Sequence, residues 1–198
     1  MYTLDDGKFA VKTARSVIES FVLRSSFLVS PPGAVWKQKS GVFVTILTYP
    51  EKELRGCIGI PEPVMPLMDA LKEAAQSATR DPRFPPLEKS ELDGIIIEVS
   101  ILTPPELVKV KSAKDYLKEI KIGRDGLIAE HGWRRGLLLP QVPVEWKWNA
   151  DEFLSETCMK AGLAPDAWLG NGFKLYKFQA EIFGEKSPRM EIERKEIC

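Results

Sequence analysis

Apolar positions near the start of the chain recur at the spacing of an amphipathic helix. They are Ala10, Ala14, Val17, Ile18 and Phe21. This spacing predicts a helix over Gly7 to Val22, because residues three and four apart share one helix face. A second stripe predicts a helix from Pro66, which suits a first helical turn, to about Thr79. Its apolar positions are Leu67, Leu71, Ala74 and Ala78.

Four segments have the composition of β-strands. Gly41–Thr48 is rich in β-branched and aromatic residues, and Leu54–Ile60 follows after a short turn, so the two predict a hairpin. Gly94–Leu102 predicts a third strand that ends before two prolines. Phe173–Phe183 alternates, with Tyr176, Phe178, Ala180 and Ile182 on its apolar face. Because one polar face is typical of antiparallel sheets, we expect a single antiparallel sheet built from both chain ends.

The middle of the chain has shorter elements of its own. The charged segment Lys109–Glu119 predicts a helix, and Ile120–Glu130 predicts a hairpin around the turn pair Asp125-Gly126. Gly136–Leu139 predicts a third short strand. These residues therefore form a candidate second lobe.

A further helix in this middle region opens at Asn149, where Glu152 completes a capping pattern and Gly162 suits the helix end. The pattern as a whole predicts an α+β fold of two lobes. The larger lobe, about residues 1–106 and 172–198, has an antiparallel sheet flanked by helices. The smaller inserted lobe, about residues 107–171, has a short antiparallel sheet and helices. Two crossings between lobes leave a cleft, which is a common place for a ligand.

Charge and composition exclude several classes of protein. The chain has 198 residues, and 28 Lys and Arg balance 28 Asp and Glu, so the net charge of zero argues against a nucleic-acid partner. No apolar run approaches the roughly 20 residues of a membrane span, and no signal peptide is evident. The cysteines Cys57, Cys158 and Cys198 are scattered, as expected for reduced thiols of a cytoplasmic protein. One histidine and no CxxC pair predict no metal site, and no cofactor motif is present.

The segment LRGCIG, Leu54 to Gly59, has unusual chemistry for a strand. Alternation places Leu54, Gly56, Ile58 and Ile60 on one face and Arg55, Cys57 and Gly59 on the other. A guanidinium close to a thiol lowers the thiol pKa, and Gly59 leaves that face bare for a ligand. The interpretation stays open between a reactive thiol or anion site at Cys57 and a buried cysteine that acts as a small apolar residue.

Charged residues elsewhere could complete this site. Glu98 lies mid-strand among isoleucines and could form a structural pair with Arg55, because a buried charge needs a partner. Asp81 and Arg83 lie in a stiff, proline-rich loop and could bind a ligand or form a local ion pair.

Polar residues also interrupt the proline- and tryptophan-rich segment Leu137–Trp148. Gln141 and Glu145 there could belong to a recognition surface or to a hinge between the lobes.

Five motifs in order resemble the AMMECR family, named from the AMME syndrome chromosomal region. They are LRGCIG (Leu54–Gly59), DPRFPP (Asp81–Pro86), GRDGL (Gly123–Leu127), GLLLPQVPVEW (Gly136–Trp146) and FLSETCMKAGL (Phe153–Leu163). The resemblance spans nearly the whole chain, which would then be a single domain of this type over residues 1–198. It implies a two-lobe α+β fold, with both termini in the larger lobe and the hexapeptide facing the interlobe cleft.

No established biochemical activity comes with this resemblance. It implies a pathway link to Memo-like and radical-SAM-type proteins, beside which similar bacterial domains occur, and a cleft suited to a large substrate such as a protein. Two hypotheses follow. The first is a ligand- or protein-binding cleft lined by LRGCIG, whose binding residues are Arg55, Gly56, Gly59, Asp81, Arg83, Gln141 and Glu145. The second is an enzyme whose central residues are Cys57 and Arg55, with Gln141 or Glu145 facing them. The sequence leaves open whether the chain is an enzyme.

Overall fold

Helices and antiparallel strands are interspersed along residues 2–196, the part of the chain that the computed structural model describes. The helices are α1 (Leu4–Val22), α2 (Leu67–Ala78), α3 (Tyr116–Glu119), α4 (Val142–Glu145) and α5 (Ala150–Lys160). The strands are β1 (Val42–Thr48), β2 (Leu54–Ile60), β3 (Ile95–Leu102), β4 (Glu106–Leu107), β5 (Gly126–His131), β6 (Arg134–Leu138), β7 (Phe173–Phe178), β8 (Ala180–Glu185) and β9 (Ile192–Lys195). Helices combined with antiparallel sheets confirm the predicted α+β class. No helix in this part of the chain is long and apolar enough to cross a bilayer.

The chain divides into two compact units. Within the described residues, the first unit is the segment up to Leu102 together with Glu181–Glu196, and the second is Thr103–Ala180. The lobes predicted from the sequence differ from these units mainly at residues 172–180, which were placed in the larger lobe and belong to the second unit.

The first unit is a five-stranded sheet with two helices on one face. The strand order is β2-β1-β3-β8-β9, so β2 is an edge strand. Alternate residues of β1 and β3 pack against the apolar stripes of α1 and α2 and form one core. The fully buried residues from these strands include Val42, Val44, Ile46, Ile97, Val99 and Ile101.

The last predicted strand is wrong as a single element. Phe173–Phe183 is two strands, β7 in the four-stranded sheet and β8 in the five-stranded sheet. The chain leaves the first of these at Gln179, whose backbone N–H donates to Thr103 Oγ1 at 2.8 Å while its carbonyl accepts from the Thr103 N–H at 2.8 Å. The uniform alternation of the sequence hides this change of sheet. The charged strand β9 was not predicted.

The second unit is a four-stranded sheet of order β4-β7-β5-β6 that packs against α5.

The predicted hairpin around Asp125-Gly126 is wrong. The carboxylate of Asp125 accepts from the Lys121 N–H at 3.0 Å and closes a local turn, after which Gly126 begins β5. The true hairpin joins β5 to β6 at Gly132, where φ is +62°. The predicted helix Lys109–Glu119 is shorter in the structure, where a 3-10 turn over Ala113–Asp115 is followed by α3.

Side chains fix the ends of the longer helices. The helix α1 begins three residues earlier than predicted, because Thr3 and Asp6 form a capping box in which Asp6 Oδ2 accepts from the Thr3 N–H. The predicted box of Asn149 and Glu152 is confirmed at the start of α5. Gly162 follows α5 with φ +71°, the left-handed conformation expected just after a helix.

A buried ion pair ties three elements of the first unit together. Arg15 of α1 donates through Nε to Glu185 Oε1 of β8 at 2.8 Å, and both side chains are almost fully buried. Arg15 also donates to the carbonyls of Leu92 at 3.2 Å and Ile95 at 2.8 Å. Glu185 Oε2 accepts from the Ile97 N–H at 3.0 Å. Every polar atom of the pair is therefore satisfied inside the core, as a buried charge requires.

Removing one partner of this pair tests its role. Arg15→Ala leaves the Glu185 carboxylate buried without a counter-charge, so we expect a loss of about 3–5 kcal/mol in the free energy of unfolding. Urea unfolding followed by circular dichroism measures it. Lys8→Ala removes an exposed partner of Asp5 on the same helix and should change stability by less than about 0.5 kcal/mol. Equal effects of the two variants would contradict the structural role of the pair.

Candidate functional site

LRGCIG forms the edge strand β2, and β1 is its neighbour in the sheet. The register pairs Cys57 with Thr45 and Gly59 with Phe43, which lie on one face. Gly56 and Ile58 pair with core residues of β1 on the opposite face, which the helices cover. The alternation read from the sequence is therefore confirmed for this strand.

The free edge of β2 is closed by the loop that follows α2. Cys57 N–H donates to Asp81 Oδ2 at 2.9 Å, and Arg83 Nη2 donates to the Cys57 carbonyl at 3.3 Å. Asp81 and Arg83 also bind each other through Nε to Oδ1 at 3.0 Å and Nη2 to Oδ2 at 2.6 Å. The Asp81 side chain is 1% exposed and that of Arg83 is 56% exposed. The hydrogen bonds from Arg83 hold the pKa of Asp81 well below its usual range. The local ion pair, one of the two interpretations of the sequence, is present, and both residues also bind the backbone of the motif.

Arg55 pairs with a residue that the sequence did not suggest. Its Nε donates to Glu91 Oε1 at 2.6 Å and its Nη2 to Glu91 Oε2 at 3.0 Å. Hydrogen bonding to Arg55 lowers the pKa of Glu91. The predicted Arg55–Glu98 pair is wrong, since β1 lies between β2 and β3, and Glu98 instead pairs with Lys195.

The Cys57 thiol is half-buried and is hydrogen-bonded to one neutral side chain. Its sulfur lies 3.2 Å from Thr45 Oγ1. Burial raises the pKa of Cys57 above its ordinary value, and the opposing effects of the Thr45 hydrogen bond and the Arg83 charge are smaller. Arg55, the activating charge suggested by the sequence, is bound to Glu91 instead. The thiol is therefore protonated near neutral pH.

Both glycines of the motif allow close packing. A methyl group added at Gly56 would lie 2.4 Å from the carbonyl oxygen of Ala78, at the end of α2. One added at Gly59 would lie 2.2 Å from Cδ1 of Phe43. The expectation that Gly59 leaves its face bare is therefore wrong, because the Phe43 ring covers it.

A groove lies beside β2, next to the C-terminal parts of α1 and α2, and no pattern in the sequence indicated it. One part, of about 340 Å³, is lined by Phe21, Ile58, Gln76, Ser77, Arg80 and Pro82. A second part, of about 260 Å³, shares Phe21 and Gln76 and adds Val17, Ser20, Ser25, Phe27 and Lys72. We call these two adjoining pockets together the α1–α2 groove. Ile58 makes LRGCIG part of its wall.

The remaining predicted residues belong to the second unit. Gln141 precedes α4, and its Oε1 is buried without a hydrogen-bond partner in the described structure. Glu145 ends α4 and is exposed. Cys158 is a buried core residue, and burial raises its pKa to about 11. Cys198 lies outside the described residues. Among residues 2–196, no group of three or more His, Cys, Asp or Glu side chains is placed to hold a metal ion.

The charge of Asp81 should make the first unit sensitive to acid. Since the folded-state pKa of Asp81 is depressed, its stabilisation is present above the unfolded value of about 3.9 and is lost as the pH falls below it. Asp81→Asn should cost about 1–3 kcal/mol at pH 7, because the charged hydrogen bonds are lost. The difference from the wild type should shrink in urea unfolding below about pH 4. Glu51→Gln, in an exposed turn, should show neither effect, and a pH-independent loss for Asp81→Asn would contradict the assignment.

Comparison with known proteins agrees with the resemblance seen in the sequence. The AMMECR1 family model matches residues 11–183. Protein MJ0810 of Methanocaldococcus jannaschii is 57% identical over 198 residues, which cover 100% of this chain and 98% of that protein. Protein PH0010 of Pyrococcus horikoshii is 50% identical over 198 residues, covering 96% of this chain and 95% of that protein. The crystal structure of uncharacterized protein PH0010 matches with a TM-score of 0.83 at 49% identity and covers 96% of each chain. The chain therefore belongs to the AMMECR1 family.

Proposed function

We propose that this chain is a binding protein that holds a segment of another protein at the LRGCIG strand and the adjoining α1–α2 groove, without a covalent step at Cys57. One observation carries the proposal. The polar groups of the motif that could perform chemistry are engaged in fixed internal contacts, whereas the groove beside them is open.

The state of the thiol argues against nucleophilic catalysis. A cysteine nucleophile needs a depressed pKa or an adjacent base. Burial raises the pKa of Cys57, and the nearest polar side chain is the neutral hydroxyl of Thr45. Asp81 is bound to Arg83 and to backbone N–H groups, so it is a poor base. The single histidine of the chain, His131, is hydrogen-bonded through Nε2 to the Asn171 carbonyl at 3.2 Å.

The rigidity of the motif favours recognition. Gly56 brings the β2 backbone against the end of α2, and Asp81 and Arg83 hold the strand edge. A surface whose side chains are already fixed loses little conformational entropy when a partner binds. Ile58, on the opposite face from the thiol, is half-buried and accessible from the groove.

The alternative, a cysteine enzyme, predicts fast alkylation. On the binding proposal, iodoacetamide should label Cys57 at pH 7 at least about tenfold more slowly than free cysteine, since the thiolate fraction and access are both reduced. Labelling should accelerate as pH rises past the ordinary cysteine value of about 8.5. Peptide-resolved mass spectrometry separates Cys57 from the fully buried Cys158, which serves as the slow reference. Rapid labelling of Cys57 near pH 6 would favour the enzyme.

Binding can be tested by filling the groove. Peptides selected by wild-type protein from a random decapeptide display library should bind at least about tenfold more weakly to Gln76→Trp, a difference of about 1.4 kcal/mol by calorimetry. Gln76 is exposed and lines both parts of the groove, so a bulky side chain there obstructs it. Glu73→Trp, on the same helix outside the groove, is the matched control. Cys57→Ser should bind within about twofold of wild type.

Three outcomes would contradict this proposal. The first is a selection that yields no convergent peptides. The second is that the selected peptides bind Gln76→Trp and Glu73→Trp with equal affinity, and the third is that only Cys57→Ser loses binding.

A further inference from the structure

We infer that the α1–α2 groove recognises an extended, acidic segment of a partner protein in which carboxylates flank an apolar residue. This inference rests on the proposed function and specifies the chemistry of the partner.

The charge of the groove has one sign. Its charged lining residues are Lys72 and Arg80, and no carboxylate is among its described lining residues. Neither side chain has an ion-pair partner within residues 2–196. In a chain of zero net charge, a groove with two unpaired cations complements a negative ligand.

Arg80 is the residue best placed to bind a carboxylate. Its guanidinium carbon lies 4.5 Å from the centroid of the Phe21 ring, so an aromatic contact and no acid orients it. Arg55 and Arg83, by contrast, each hold a carboxylate of this chain through two nitrogens. A guanidinium held over a ring, with no acid of this chain bound to it, keeps its N–H donors available for bidentate contact with an incoming carboxylate.

The apolar part of the groove lining suits an apolar side chain of the partner segment. Phe21, Phe27 and Ile58 supply apolar surface, while Gln76 and Ser77 can hydrogen-bond a peptide backbone. The two parts of the groove share Phe21 and Gln76 as lining residues. Two adjoining pockets with hydrogen-bonding side chains in their lining fit an extended chain that reaches both better than a compact metabolite.

Binding through side chains is favoured because the outward edge of β2 is occupied at Cys57, in the middle of the strand. A peptide that adds as a strand needs free N–H and C=O groups on the edge strand. At Cys57 those groups are taken by Asp81 and Arg83. The partner therefore binds in the groove beside the strand, with Ile58 as the contact to the motif.

The test uses a fluorescein-labelled octapeptide that alternates Asp and Leu, and the same peptide with Lys in place of Asp. By fluorescence polarisation, wild-type protein should bind the Asp peptide at least about tenfold more tightly than the Lys peptide. Arg80→Ala should weaken binding of the Asp peptide about tenfold, and Lys72→Ala by a smaller factor. Lys37→Ala removes an exposed positive charge outside the groove and should have almost no effect, which controls for net charge.

Three results would overturn the inference. The Lys peptide could bind the wild-type protein as tightly as the Asp peptide does, Arg80→Ala could bind the Asp peptide as tightly as Lys37→Ala does, or a twelve-nucleotide oligothymidine could compete as well as unlabelled Asp peptide.

Failure of this inference can be told apart from failure of the proposed function. If Arg80→Ala leaves binding of the library-selected peptides intact but Gln76→Trp abolishes it, the groove binds peptides without a preference for acids. If Gln76→Trp binds every peptide normally, both proposals fall.

Discussion

The edge of a β-sheet must have its outward N–H and C=O groups satisfied, and this constraint shapes the site. At Cys57 the two groups are bound by Asp81 and Arg83, one accepting and one donating. The pair thus occupies the place of a further strand and protects the edge from pairing with another chain. The same contact fixes the loop after α2, which brings Pro82 and Arg80 to the rim of the groove. A single buried carboxylate therefore determines both the stability of the motif and the surface beside it.

Ion pairing distinguishes the arginines that stabilise the LRGCIG strand from the arginine that is available to a partner. Arg55 is neutralised by Glu91, and the charge of Arg83, which is paired with Asp81, lowers the pKa of the Cys57 thiol by less than burial raises it. Arg80, in the same loop, has an aromatic ring in place of an acid. Because a charge already paired gains little from a new partner, the unpaired arginine is the one that can discriminate between ligands. A partner can therefore bind in the α1–α2 groove beside LRGCIG while the Cys57 thiol in the motif stays unreactive.

Local patterns in the sequence were enough for the helices α1, α2 and α5, for the β1–β2 hairpin and for the two faces of LRGCIG. These depend on contacts between residues a few positions apart, or on alternation along one strand. Predictions that needed the order of strands failed. The pair expected between Arg55 and Glu98 assumed that their strands are neighbours, and β1 lies between them. The bare surface expected at Gly59 ignored Phe43, whose position depends on the register with β1.

The sequence by itself determined the α+β class, the family motifs, the ends of α5 and the alternation of β2. Only the tertiary structure decided which carboxylate each arginine binds, where the chain passes from β7 to β8 in the other sheet, and that a groove lies beside Ile58. The physical reason is the range of the interactions. Periodicity and helix caps are set by neighbours along the chain. Ion pairs and grooves instead depend on packing between segments tens of residues apart, and sequences with the same local pattern could pack those segments in different ways.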